Sequence, residues 1–503
     1  MNLRSVTALA ALALATAACA GSGVAPAAAP APAATTSETA SVLLPNRSPL
    51  VSFRILFHTG AAYDPAGKEG LASLTAAMIA QGGSRELAYR EIVEAMYPMA
   101  TSFGWQVDKE MTVFTGTTHA DNLERYYDLI RQQLLEPGWR EEDFSRIKTN
   151  AINALKVSLR EGNDEELGKE RLYNVIYAGT PYAHHNLGTI GSLERLTLDD
   201  VRDFYRTHYT RAELQIGLAG GYPADFPARV ERDFAAALPA GDAPALALTA
   251  PKLAPGMEIE LVQRETRSTA ISLGFPIAVN RSHPDWPALA VAASYLGQHR
   301  SSNSHLYQRL REARGLNYGD YAYIEYFPRG MFQFTPDANL ARQQQIFQIW
   351  IRPVEPEHGH FALRAALYEL DQLVKDGMDQ ETFEATRDFL GKYASVLTQT
   401  QDDQLGYALD SRYYGTGDYS EWLREKLASL TVEDVNRAIR AHLSSGAMRV
   451  VIVTRDAEAL RDAITSGRPS PITYNSPKPA ELLAEDKVIE SYPIPVEASR
   501  VRV

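Results

Sequence analysis

One cysteine, Cys19, is all the thiol chemistry that the 503 residues carry. A disulfide framework and a cysteine nucleophile in the body of the protein are excluded with it. Basic charge is scarce as well: 50 Lys and Arg face 62 Asp and Glu, a net charge of −12, which suits neither a phosphate backbone nor an anionic lipid surface. No nucleic acid is expected among the partners. A Gly-x-Ser-x-Gly elbow is missing, and Ser73 falls in the middle of a helical pattern with no base near it in sequence, so a serine hydrolase has no support. Charged residues make up 22% against 45% apolar, a balance that excludes disorder and collagen-like order. At roughly 100–200 residues per domain the length calls for two or more domains, each with its own core.

Residues 1–19 run from Met-Asn-Leu-Arg through an Ala/Leu-rich stretch to Ala17-Ala18-Cys19. This is the basic, apolar and small-residue layout of a secretory signal, and its apolar stretch is too short to span a bilayer. A cysteine directly after two alanines looks like a bacterial lipoprotein signal, in which cleavage leaves Cys19 as the lipid-bearing first residue. Residues 20–45 are rich in Ala, Pro, Ser and Thr and read as an extended tether. The expected setting is the periplasmic side of a bacterial membrane, with a lipid anchor. Ala20, standing where an aspartate would argue otherwise, points to the outer membrane.

The rest of the chain reads as a duplication. Leu196-Thr197-Leu198-Asp199-Asp200-Val201-Arg202 returns as Leu430-Thr431-Val432-Glu433-Asp434-Val435-Asn436, 234 positions on. In each, a Thr N-cap followed by acidic residues opens a helix. At the same offset the apolar run Glu213 to Gly220 meets Ala447 to Thr454. Strand-like openings at Val51 to His58 and Thr269 to Phe275 are followed by helical patterns such as Asp121 to Leu135 and Phe361 to Asp376. Two like-folded α+β domains are predicted, over 46–235 and 257–467, with a Pro/Ala-rich linker at 236–256 and a Pro-rich C-terminal arm at 468–503.

Several stretches also carry a resemblance. Gly60-Ala61-Ala62-Tyr63-Asp64 and Lys68-Glu69-Gly70-Leu71-Ala72-Ser73-Leu74-Thr75-Ala76-Ala77-Met78 come first, followed by Leu135-Glu136-Pro137, Pro181-Tyr182 and Gly188-Thr189. After the Thr197 helix with Phe204-Tyr205 and Tyr209 come Ala270-Ile271-Ser272-Leu273-Gly274-Phe275, Ser304-His305-Leu306-Tyr307-Gln308-Arg309-Leu310-Arg311-Glu312 and Gly315-Leu316-Asn317-Tyr318. In this order and spacing they resemble the M16 peptidases, the family of pitrilysin, insulinase and mitochondrial processing peptidase, over about residues 45–465. The resemblance implies an α+β fold of two homologous α/β-sandwich-like domains of the LuxS/metallohydrolase-like type, together forming half of a clam shell.

Family enzymes bind zinc through H-x-x-E-H on the first helix, where two histidines four apart share a face and the glutamate activates water. The corresponding positions here are Ser73, Ala76 and Ala77. Alanine offers neither ligand nor base, and a neutral serine hydroxyl is a poor substitute for imidazole. The family's third ligand, a glutamate, falls around Ile152-Asn153-Ala154, with Glu161 and Glu165 farther along. No metal is expected in this chain. Arg311 and Tyr318, by contrast, keep the family's Arg-x6-Tyr spacing; by resemblance they hydrogen-bond the substrate carbonyl and stabilise its oxyanion across a closed chamber. One M16 group divides zinc motif and Arg/Tyr pair between two chains. The pattern here is that of the second chain, which implies a heterodimer with a zinc-bearing M16 subunit and a peptide substrate. A scaffold or peptide-holding protein of the same fold is the other reading.

Weaker constellations remain. His358-Gly359-His360, between Glu355 and Glu357, fits a metal by spacing or a short acidic loop before a helix. His184-His185 are adjacent and share no helical face, which favours a surface loop. Tyr321 and Tyr323 alternate as on a strand, for sheet packing or for a peptide groove. The acidic total hints at basic peptides as substrates.

Overall fold

A computed structural model describes residues 41–327 and 333–503. The leader, Cys19 and the tether up to residue 40 lie outside the described residues.

Two sheets repeat one topology. The first consists of β1 (Val42–Pro45), β2 (Leu50–Phe57), β3 (Gly104–Val107), β4 (Thr112–His119) and β5 (Leu214–Gly220), in spatial order β1-β5-β2-β4-β3. The second consists of β6 (Glu258–Gln263), β7 (Thr269–Ile277), β8 (Asp320–Tyr323), β9 (Gln345–Val354), β10 (Arg449–Thr454) and β11 (Val501–Arg502), in order β11-β6-β10-β7-β9-β8. Apart from β11 the two orders coincide, and in each the first strand of the domain runs parallel to the last. Buried Val, Ile, Leu and Phe on both faces of the central strands require cover on both sides.

One face of each sheet is covered by its own domain. Helices Leu71–Gln81, Leu123–Leu135 and Leu198–His208 share a core with β2, β4 and β5, and Trp286–Gly297, Gly359–Asp376 and Val432–His442 do the same for the second sheet. Thr197 and Thr431 cap their helices as read, each accepting from the N–H of the aspartate three residues on, while that carboxylate accepts the cap's own N–H. The opposite faces are covered crosswise. Helix Asp164–Ile176 of the first domain lies on β7 and β10, and helix Gln401–Tyr414 of the second lies on β1, β2 and β5. Tyr173 Oη donates to Gln348 Oε1 (2.9 Å) and Tyr177 Oη to the Gln345 carbonyl (3.1 Å). In the other direction, buried Arg54 on β2 donates to Asp402 (2.6 Å) and Asn339 Oδ1 (2.7 Å). Gly406 is needed for that approach, since a Cβ there would come 2.6 Å from the Ala338 Cβ.

Two expected boundaries move. The tether read to residue 45 ends earlier, because β1 already pairs with β5 from Val42. The arm at 468–503 is not a free extension: it forms helix Ala480–Ile489 and closes as β11, parallel to β6. Its prolines break helices, but Ile472, Tyr492, Ile494 and Val496 between them pack on the second core, and buried Arg364 donates to Ser470 Oγ (3.1 Å).

Candidate functional site

Helix Leu71–Gln81 is buried on all sides except at Gln81, as its apolar, Ala-rich sequence requires. Its N-terminus is held by Asp64, whose carboxylate accepts the N–H groups of Gly70 (2.6 Å) and Ala72 (2.7 Å). Gly70 meets this turn at φ 98°, a conformation that favours glycine. Ser73, Ala76 and Ala77 are all buried on this helix. Ser73 Oγ donates to the Asn186 carbonyl (2.5 Å), so the one polar atom at the three positions is engaged with backbone.

The region of the third ligand offers nothing in exchange. Ile152 and Asn153 end helix Glu141–Asn153, and Ala154 opens a π-helical stretch to Glu161. Glu165 is tied between Lys169 Nζ (2.9 Å) and Arg352 Nε (3.4 Å). These residues do not fit zinc.

Ser73 borders a cavity of about 500 Å³ between the domains. Its wall includes Asp108 and Lys109, which with Glu110 form the β3–β4 turn, three consecutive charged residues that are all buried. Asp108 forms a two-pronged pair with Arg342 of the second domain (2.5 Å), and the guanidinium lies 3.5 Å from the Tyr326 ring centroid. Glu110 accepts from Gln343 N (2.7 Å), Gln343 Nε2 (2.9 Å), Tyr413 Oη (2.7 Å) and Tyr182 Oη. Gly60 lets the turn dock: a Cβ there would stand 2.2 Å from the Asp108 carbonyl. Lys109 Nζ donates to the His184 carbonyl, and no carboxylate pairs with it among the described residues. Burial, and then Arg342, push its pKa down to about 8. His184 Nε2 lies 3.0 Å from Asp64 Oδ2, while burial raises the Asp64 pKa against that pairing.

The Lys109 shift makes a pH prediction. An unfolded lysine keeps its proton to about pH 10.4, so between pH 8 and 10 the unfolded chain binds more protons and stability rises with pH on this account. Comparing wild type with Lys109→Met in urea at pH 7 and pH 10, the wild type should gain relative to the variant, by up to roughly 3 kcal/mol. A difference that does not change with pH would mean that Lys109 is not held at a depressed pKa.

Arg311 and Tyr318 stand on the second domain. Arg311 is carried by a π-helical turn, Tyr307–Glu312, and Gly315 at φ 73° turns the chain back. Arg311 Cζ lies 5.7 Å from the Tyr318 ring centroid and 5.4 Å from that of Tyr307, and its Nη1 donates to Glu312 Oε1 (2.7 Å). Tyr318 is 76% exposed. Both line a cleft of about 590 Å³ that shares no wall residue with the Ser73 cavity. One wall is the segment Ile472 to Lys478 of the C-terminal arm. It is pinned where Lys478 Nζ donates to the Ala313 carbonyl (2.7 Å), Tyr474 Oη to Asp486 Oδ2 (2.6 Å), and Arg314 to Asp486 and Glu485.

Comparison with known proteins bears on the family and the fold. Residues 41–190 match the model of insulinase (peptidase family M16), and residues 195–390 match that of the peptidase M16 inactive domain. The chain belongs to peptidase family M16. It is similar to an uncharacterized zinc protease of Streptomyces coelicolor, 24% identical over 394 residues, or 76% of this chain and 81% of that one. It is also similar to the non-peptidase homolog YmxG of Helicobacter pylori, 20% identical over 81% of this chain and 89% of that one. Its fold is that of the peptidase M16 inactive domain from Pseudomonas fluorescens, with a TM-score of 0.72 at 24% identity, over 83% and 97% of the two chains.

Within this M16 chain the minor constellations resolve. His358 lines the Arg311 cleft, 3.9 Å from Glu355, whereas His360 is buried at the start of its helix. The two do not form a metal group. The described residues hold one cluster with metal-ligand spacing, His283, Asp285 and His442. There Arg437 takes both Asp285 oxygens, His442 Nε2 takes one of them, and His283 Nδ1 accepts the Asp285 N–H. The Arg437 guanidinium already neutralises the carboxylate that a cation would need. Tyr321 and Tyr323 pack with Phe327 and Trp350, which is sheet packing and no groove. His184, read as a surface residue, is half-buried at the Ser73 cavity. Asp64 belongs to the stretch Gly60-Ala61-Ala62-Tyr63-Asp64, whereas no local sequence signal marks Lys109 or the arm as part of a site.

Proposed function

We propose that this M16 chain is the zinc-less subunit of a two-chain peptidase and brings Arg311 and Tyr318 to the shared chamber. The observation that carries this reading is the pair itself: side by side, with Arg311 half-buried and Tyr318 open to solvent, in a cleft separate from the degenerate helix of the same chain. A guanidinium stays charged at all working pH values, and with a phenol beside it supplies converging donors for a carbonyl oxygen. Such donors act most strongly when that oxygen gains negative charge under attack. The metal belongs to the partner in this reading, and the body hangs from a membrane through lipid on Cys19.

A second reading, a peptide-holding protein without catalysis, is favoured by the closed Ser73 position and by the likeness to a relative named a non-peptidase homolog. Purification of the tagged chain from its native envelope, with zinc quantified chain by chain, separates the two. Zinc confined to a co-purifying chain of similar size is the expected outcome. Zinc in this chain alone overturns the ligand argument, and the absence of any M16-like partner moves the assignment to the second reading. Recovery without detergent in the same preparation would mean that lipid is not the anchor.

A further inference from the structure

The cleft that holds Arg311 and Tyr318 differs in charge from the rest of the molecule. Four cations stand in its wall: Arg267, Arg311, Arg314 and Lys478. Only Arg314 is neutralised outright, between Asp486 and Glu485. Arg311 spends one nitrogen on its neighbour Glu312. Lys478 Nζ meets a backbone carbonyl and lies 5.1 Å from the Tyr474 ring centroid, with no carboxylate on it. Arg267 is exposed and has no ion pair among the described residues. The single acidic wall residue is Glu355, exposed and 3.9 Å from His358.

We propose that this cleft selects acidic peptide segments, with Arg267 and Lys478 receiving side-chain carboxylates in the cleft that holds the Arg311–Tyr318 pair. The proposal rests on the reading that the pair meets a peptide, and it names the class of that peptide. It also reverses the preference for basic peptides suggested by the net charge of −12. The reason is range: at physiological salt the Debye length is about 8 Å, so a peptide inside the cleft is governed by the cations lining it and not by carboxylates on distant surfaces. Guanidinium and ammonium groups without carboxylate partners bind an incoming carboxylate by charge-assisted hydrogen bonds without first breaking a pair. The arm matters here, because it carries Lys478 into the wall and fixes it against the end of the turn that bears Arg311.

The test uses the full chain and three fluorescein-labelled decapeptides of equal length, Glu-rich, neutral and Lys-rich, with binding followed by anisotropy. The Glu-rich peptide should bind at least about tenfold more tightly than the neutral one, and the preference should fall as salt rises. Arg267→Glu combined with Lys478→Glu should abolish or invert it, and Arg267→Gln with Lys478→Gln, a milder pair of changes, should reduce it. Equal binding of all three peptides, or an acidic preference that survives both double variants, overturns the proposal. Failure of the underlying reading looks different. Equal peptide binding together with loss of turnover in Arg311→Ala would sink the acidic preference and leave the role of the pair intact; charge-ranked binding with normal turnover in Arg311→Ala would do the reverse.

Discussion

Arg311→Ala is expected, on the proposal that this chain is the zinc-less subunit of a two-chain peptidase, to lower the turnover of that assembly by about 10²-fold or more, the scale of a lost oxyanion donor. Tyr318→Phe should do the same to a lesser degree, because phenylalanine keeps the ring beside the guanidinium and deletes only the donor. Neither change should disturb the fold. Tyr318 is 76% exposed, and Arg311, 33% exposed, makes one hydrogen bond to its neighbour and two ring contacts, so each change should cost no more than about 1 kcal/mol. The informative readout is therefore kcat at unchanged thermal midpoint, with KM moving little if the donors act mainly on the charged oxygen. Full turnover in both variants would remove the assigned role.

The second large effect concerns stability. Asp108 and Arg342 form a fully buried, two-pronged ion pair that joins the β3–β4 turn to the second domain. Arg342→Ala leaves Asp108 charged, buried and without its partner, and Asp108→Ala does the same to Arg342. Each should cost about 3–5 kcal/mol in urea unfolding. The double variant Asp108→Asn with Arg342→Met, which removes both charges, should recover part of that loss. A single-variant cost below about 1 kcal/mol would mean that water reaches the pair.

What could be read from sequence was local. The Thr197 and Thr431 caps, the apolar runs that became β5 and β10, and the Arg-x6-Tyr spacing each depend on neighbours within a few residues. What escaped depends on partners far along the chain. Asp108-Lys109-Glu110 has the composition of a solvated turn, and its burial is made tolerable by distant partners, among them Arg342, Gln343, Tyr413, Tyr182 and His184. Likewise the Pro-rich arm has no helical period between residues 468 and 479, yet its spaced apolar residues and Lys478 make it the wall of the cleft. No local pattern encodes the crossed placement of helices Asp164–Ile176 and Gln401–Tyr414, since the buried side of each mixes apolar residues with charged ones, Glu165 and Lys169 in the first and Asp410 in the second.

That crossed placement bears on how the protein is made. The first sheet is complete as a set of strands once Gly220 has left the ribosome, but the helix that covers its second face begins only at Gln401. At about 5–20 residues per second, the intervening stretch of roughly 180 residues takes on the order of 10–40 s to synthesise. Throughout that interval Arg54, on the second face of β2, lacks Asn339 and Asp402, its partners in the finished fold, so the first domain reaches its final packing only when nearly the whole chain exists.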